Sequence, residues 1–365
     1  MDVIIFTETP TADYYRALLH LETKRKVHVR FQDSRCLYLL FLKLYNSSSL
    51  LRKMGHSLLG KPLHVSKRVT WSEIWHSFSG YFILLFTRKR IVALFAPYHF
   101  ISPYLWLLKK TGRRITFMTS WPYWNGKDYV HRPNALSKYF WKLFLRDISA
   151  VTVSATAKQA LLPYTRRVVQ IPHAVDLHTF YPRKKKKRFQ ALYVGRMIPE
   201  KGLADLLSVA QELKDIDFVF VGSGPFVERV RTCGLQNVHY LGEIRDRQKL
   251  AQLFAESHVF VLNSYKIRGW EELYGIVLLE ALASGTPVIS TDCVGPREIL
   301  LEEFGFLIPQ KNREALKEKI LYCSTHRKEL DQMGKKGRAF VEEKYDIEKL
   351  SLLWYEVLFG KAFKR

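Results

Sequence analysis

The sequence predicts an α/β protein with two Rossmann-like parallel-sheet domains facing a central cleft. Three observations carry that prediction. Through the second half, short and continuously apolar segments alternate with segments of helical spacing, and parallel strands covered on both faces read as unbroken apolar runs. At 365 residues the chain suits two domains of about 150–200 residues each. The first half repeats the strand–helix theme less regularly.

In order along the first half, DVIIF, KVHVRF, RIVALFAP and RITFMTS read as strands. The first opens the chain without the basic n-region of a signal peptide. Between the strands lie the aromatic, basic segments WSEIWHSFSGYFILLFTRKR and SKYFWKLFLRD. The apolar stretch Ile91–Leu108 is interrupted by Pro97, His99, Ser102 and Pro103, short of the ~20 uninterrupted residues that a spanning helix needs. The boundary falls near HAVDLHTFYPRKKKKRF, which gives domains at 1–182 and 183–346. The last segment, 347–365 with IEKLSLLWYEVLFGKAF, is expected to be a helix that crosses back onto the first domain. Within the second domain FQALYVGRM is a strand, LADLLSVAQEL a helix, DFVFVGSGP a strand, VERVRTCG a helix, NVHYLG a strand, RQKLAQLFAES a helix and HVFVLNS a strand. The run ELYGIVLLEALASG and the strand TPVIST follow. Ligands of such sheets bind beyond the carboxyl ends of the strands.

The formal net charge of +24 is unevenly placed: residues 1–182 hold 27 Lys and Arg against 9 Asp and Glu, residues 183–188 (RKKKKR) are all basic, and residues 189–365 balance at 25 of each. This asymmetry predicts an anionic partner for the first half, such as phospholipid headgroups, a lipid-linked phosphate or nucleic acid; solubility alone is the plainer reading. The RKKKKR run reads as a polyanion patch or as a solvated interdomain loop, and the loop is preferred. Trp71, Trp75, Phe78, Tyr81 and Phe82 recur at near-helical intervals, as core stripes do. Basic neighbours (Lys67, Arg68, Arg88, Lys89, Arg90) also fit an amphipathic segment lying on an anionic membrane. Cys36, Cys233, Cys293 and Cys323 are far apart and form neither a disulfide framework nor a zinc pattern. The DID at Asp215–Asp217 reads as a surface turn, and no histidine spacing marks a metal site.

Three constellations carry chemistry. In VGRMIPEKG, Arg196 and Lys201 follow a strand end closed by Gly195. They are either a clamp for a diphosphate or two solvated charges. In VGSGP, Gly222 and Gly224 allow a ligand close to the backbone, although such turns also occur without one. In EELYGIVLLEALASG, the helix is expected to start near Gly275 and Ile276, run to about Ser284, and end at Gly285. Glu272 then stands in the loop before the helix and Glu280 inside it. Glu271 reads as an exposed loop acid.

With IPHAVDLHTFYP, VHYLGEI, GFLIP and KKGRAFVEEKYDIEKL added, these segments resemble, in order and spacing, the retaining GT-B type nucleotide-sugar glycosyltransferases of glycosyltransferase family 4 (group 1). The likeness runs from about Val151 to Phe359. It implies that Arg196 and Lys201 grip and stabilise the departing diphosphate, and that Glu272 faces the donor sugar. It further implies that Glu280 meets the ribose, that Gly275 and Ile276 offer amides to the phosphates, and that the turn around Leu241 brackets the base. Retention of configuration by same-face departure and attack is implied, with no cofactor and no metal. The implied partners are a nucleotide sugar and an acceptor glycan or lipid-linked acceptor. An anionic membrane surface at the cytoplasmic face is expected as well, and no specific nucleic acid. The sequence departs from the family at Thr9, Pro10 and Thr11, where a Gly-Gly is common, and at Ser120–Trp121–Pro122, where a histidine is common. That leaves the histidine absent or supplied from elsewhere, for example by His131. His173 and Ala174 also stand where Asn-Gly is usual. The rival reading is a non-catalytic basic protein that binds polyanions or membranes on a transferase-like fold.

Overall fold

The computed structural model describes residues 1–8, 12–25, 27–35, 70–124 and 135–360. Thr9, Pro10, Thr11, Cys36, Lys67, Arg68 and His131 lie outside them.

Two six-stranded sheets, parallel throughout, organise the described residues. The first has the order β2-β1-β3-β4-β5-β6. It is built from β1 (Asp2–Thr7), β2 (His28–Asp33), β3 (Arg90–Leu94), β4 (Ile115–Thr119), β5 (Ser149–Thr152) and β6 (Val168–Gln170). The second has the order β12-β11-β10-β7-β8-β9. Its strands are β7 (Gln190–Val194), β8 (Asp217–Val221), β9 (Val238–Tyr240), β10 (Val259–Leu262), β11 (Val288–Thr291) and β12 (Gly305–Ile308). The centres of both sheets are wholly buried: every residue of β4, β7, β10 and β11 is buried. This is why they read as continuous apolar runs.

Each sheet reverses its direction of winding once, between β1 and β3 in the first and between β7 and β10 in the second. At such switch points the loops diverge and leave a crevice beyond the strand ends. The final helix, α13 (Ile347–Phe359), packs against α1 (Arg16–Arg25) of the first half. Glu348 meets Lys24 at 3.0 Å and His20 at 3.3 Å, and Arg90 lies over the Phe359 ring.

The segment read as an aromatic core stripe forms α2 (Trp71–Phe86), capped by Thr70 and Glu73 in a capping box. It presents most of that stripe to solvent instead: Trp71, Trp75, Phe78 and Phe82 are 45–69% exposed. Helical periodicity identifies a face but not the side it turns. The inward face holds Ile74, Ser77 and Gly80, and the Gln32 side-chain end occupies the space a Cβ at 80 would take. Two of the flanking cations are engaged within the fold, Lys89 with Asp2 at 2.7 Å and Arg90 on Phe359. No helix among the described residues is long and apolar enough to cross a membrane.

Candidate functional site

A cleft of about 510 Å³ opens at the switch point of the second sheet. The strand β7 ends at Val194, and the chain turns through Gly195 into Arg196. The Tyr193 hydroxyl donates to the Arg196 carbonyl at 2.6 Å and fixes that turn; burial, with Glu272 nearby, pushes this phenol well above its usual range. A short 3₁₀ turn, Pro199–Lys201, ends at Gly202 in the left-handed region (φ 65°). A side chain at 202 would meet the Asn263 carbonyl at 2.0 Å, so glycine is required for the turn that delivers Lys201.

From the other side of the switch point comes the segment after β10. Glu272 forms an ion pair with Lys201, and both side chains are largely buried. The Lys201 ammonium also lies 5.2 Å from the Trp270 ring centroid, within cation–π range. Gly275, in the left-handed region (φ 82°), caps α9 (Ile276–Ala283), and its backbone together with Ile276 lines the same cleft. The amides of a helix start carry partial positive charge. Arg196, exposed on the opposite lip, adds a full one. Arg196, Lys201, Glu272, Gly275 and Ile276 thus line one cavity, and Glu271 lines it with them.

The other expected residues stand elsewhere. Glu280 is 2% exposed in α9, and its Oε1 accepts from Arg16 at 2.7 Å and Arg247 at 2.8 Å. Arg16 belongs to the first half, so this carboxylate ties the two domains together behind the cleft. Gly222 and Gly224 pack against the Gly195–Met197 turn: a Cβ at 222 would lie 1.8 Å from the Gly195 carbonyl oxygen and one at 224 would lie 2.5 Å from that of Met197. The absence of a side chain at each lets the two loops pack together, and neither glycine is among the residues that line the cleft. Leu241 is 48% exposed and is not among the residues that line the cleft.

Glu271 is not an exposed acid. Its side chain is 6% exposed and accepts from the Val294 amide at 2.9 Å and from the Tyr123 hydroxyl. The Lys266 ammonium lies 3.3 Å away. Lys266 is five residues away, but Val294 and Tyr123, the latter in the first domain, are 23 and 148 residues away, so sequence proximity could not disclose them.

A second cavity of about 220 Å³ adjoins the first and shares Tyr14, Ser120, Trp121 and His173 with it. It sits at the switch point of the first sheet, where Glu8 follows β1 and Phe95–Pro97 follow β3. Glu8 accepts from the Ala96 amide at 3.1 Å and faces the His99 Nε2 at 3.2 Å. Burial raises the carboxyl's pKa, but the hydrogen bond and charge of His99 outweigh it, and the net shift is downward. His173 is 5% exposed at the junction of the two cavities, its ring edge-on to Tyr14 and Tyr274. The sequence marks His173 only as a departure from Asn-Gly, and Glu8 carries no sequence signal. Both become visible only when the strands are ordered.

Among the described residues no group of three or more His, Cys, Asp or Glu comes together as a metal set. Asp217 of the DID pairs with Arg188 at 3.1 Å.

The family model described as Glycosyl transferases group 1 matches residues 176–340. The D-rhamnosyltransferase WbpZ of Pseudomonas aeruginosa is 26% identical over 72% of this chain and 73% of its own length. A phosphatidyl-myo-inositol mannosyltransferase of Mycobacterium tuberculosis is 32% identical over 39% of each chain, so the match spans well under half of that relative. Among solved structures, sucrose-phosphate synthase of Thermosynechococcus elongatus superposes with a TM-score of 0.69 over 98% of both chains at 21% identity. That likeness is one of fold.

Proposed function

We propose that this chain, a GT-B glycosyltransferase carrying the group 1 domain over residues 176–340, transfers a sugar from a nucleoside diphosphate to an acceptor hydroxyl with retention of configuration. The observation that carries this reading is the buried Lys201–Glu272 pair facing the start of α9 across the cleft. A departing diphosphate gains negative charge as its bond to the anomeric carbon breaks. The cations Arg196 and Lys201 and the partial positive charge of the amides at Gly275–Ile276 are placed to meet that charge without reorganising. Donor binding gives Lys201 a second anion to neutralise and leaves Glu272 to accept from the sugar hydroxyls. The acceptor oxygen then bonds to the anomeric carbon on the face the phosphate leaves, and its proton passes to the departing phosphate oxygen. This assignment calls for no metal ion.

Acceptor binding falls to the cavity of the first domain, where Glu8 is the carboxylate available to an incoming hydroxyl and Trp121 offers a flat apolar wall. The acceptor is read as a lipid-linked glycan, glycolipid or surface-polysaccharide precursor presented at the cytoplasmic face of a membrane. The exposed aromatic stripe of α2, the basic first half and a relative named for phosphatidyl-myo-inositol support that reading.

The test is turnover of a panel of nucleotide sugars. Glu272→Ala and Lys201→Ala are each expected to lower transfer at least ~100-fold, as loss of a transition-state charge partner does, while circular dichroism stays unchanged. Full activity in both variants would sink the assignment.

A further inference from the structure

The RKKKKR run at 183–188 is not a wholly solvated loop. Lys185 is mostly buried: its ammonium donates to the Ser257 carbonyl and to the Thr286 hydroxyl, each at 2.7 Å. The Lys186 amide donates to the Glu256 carbonyl at 3.0 Å. The run is thereby folded against the second domain, where it forms one wall of a separate cavity of about 310 Å³. Lys184, Lys185, Lys186, Arg327, Asp331 and His258 line this cavity.

Its position separates it from the donor cleft. Gln190 begins β7, His258 immediately precedes β10 and Pro287 immediately precedes β11. The cavity thus lies at the amino ends of the strands whose carboxyl ends carry the donor cleft, about 15 Å away for strands of this length.

Its electrostatics are one-sided. Of the four cations, only Lys186 lies within ion-pair distance of a carboxylate among the described residues, Glu256 at 3.5 Å. Asp331 supplies the lone acid of the lining. Arg327 spends one N–H on the Lys187 carbonyl at 3.2 Å. It also opens α12 (Arg327–Lys344), an 18-residue helix whose start has no side-chain cap, and this adds partial positive charge at the cavity mouth. His258 stays neutral near pH 7, since burial and then Arg327 and Lys185 depress it to about 4. Burial likewise lowers Lys185 to about 7, against the raising effect of Asp331. Lys184 and Arg327, neither in ion-pair distance of a carboxylate among the described residues, offer what a phosphoryl group requires: an arginine fork, a point-charge ammonium and a helix start beside them.

We propose that the cavity walled by Lys184–Lys186 and Arg327 binds a phosphoryl anion, a phosphate monoester or diphosphate, independently of the donor cleft.

Isothermal titration of the full chain with inorganic pyrophosphate tests this, with Lys184→Glu/Arg327→Glu altering this cavity and Arg196→Ala/Lys201→Ala altering the donor cleft. Lys184 and Arg327 are exposed, so both charge-reversal substitutions are expected to fold. The neutral pair Lys184→Gln/Arg327→Gln and a melting curve check this. The expected result is pyrophosphate binding that persists in Arg196→Ala/Lys201→Ala and weakens at least tenfold when Lys184→Glu/Arg327→Glu is added to it. The proposal is overturned if Arg196→Ala/Lys201→Ala removes all binding, or if adding Lys184→Glu/Arg327→Glu leaves the isotherm unchanged. Wild-type binding that Arg196→Ala/Lys201→Ala leaves untouched while Lys184→Glu/Arg327→Glu abolishes it would support this site and count against the donor reading. Cosedimentation with phosphatidate-containing vesicles identifies the source. A tenfold loss in Lys184→Glu/Arg327→Glu points to a lipid headgroup; unchanged capture beside the titration loss points to a soluble phosphate.

Discussion

Glu271, Glu272 and Glu280 lie within ten residues and have three different surroundings: a bridge to Tyr123 and Val294, an ion pair with Lys201, and a buried fork between Arg16 and Arg247. Removing one partner of a fully buried ion pair costs about 3–5 kcal/mol, and the partial exposure of Arg16 and Arg247 puts this site at the low end of that range. Glu280→Ala is therefore expected to destabilise the chain by that order in urea unfolding, quite apart from any loss of donor binding. Little change in the midpoint would show that Arg16 and Arg247 are well solvated without it. His258 gives a prediction of opposite character. Its folded value near 4 lies below the ordinary 6.5, so between those values the unfolded chain binds more protons, and stability rises with pH through that window. On acidification from 6.5 to 4 the loss approaches about 3 kcal/mol, at about 1.4 kcal/mol per pH unit. His258→Asn should flatten that limb of the stability–pH curve; parallel curves for the two proteins would assign the acid sensitivity elsewhere.

At the scale of elements, the legible parts were those whose environment is uniform. β7, β8, β10 and β11 are buried on both faces and announce themselves as apolar runs, and the α9 start is written in Gly275 and the end in Gly285. β6 is an edge strand with no buried residue and β5 is rich in Ser and Thr, so neither shows as an apolar run. α2 was legible as a helix but not in its orientation, because solvent-facing and core-facing stripes share one period. Loop-on-loop contacts were the least legible: Gly295 looks like an ordinary helix residue. Yet a Cβ there would lie 2.3 Å from the Tyr274 amide nitrogen, and its own amide holds the Glu272 carbonyl at 2.9 Å. Backbone cannot yield as a side-chain tip does. Gly295→Ala is thus expected to push α10 (Val294–Ile299) off the segment carrying Glu272. Donor turnover should drop by at least ~10-fold, on the scale at which misplacement by about 1 Å costs 10²-fold. Wild-type turnover would mean that the Glu272 loop tolerates the shift.

Across the whole molecule, the two sheets present their switch points to each other, and carboxylates from the second domain clamp the first. Glu298 accepts from the Ala155 and Thr156 amides at 2.6 and 2.8 Å, Glu280 holds Arg16, and Glu271 holds Tyr123. The α2 stripe lies outside that machinery. Trp75 and Phe78 pack at a tilt and Phe78 and Phe82 in a T shape while remaining 45–69% exposed, and an apolar patch of this kind is where the proposed membrane contact can be tested. Replacing the three by serine removes little core, so the melting temperature should stay within a few degrees. Capture by vesicles containing anionic phospholipid should fall at least tenfold, as expected when interfacial aromatics that bury apolar area in the headgroup region are lost. Transfer to a water-soluble acceptor should persist while transfer to an acceptor embedded in vesicles declines in step with capture. If vesicle capture is unaffected, the stripe faces another partner and the membrane reading fails; if both transfers fall together, the stripe supports the catalytic domain rather than its approach to a bilayer.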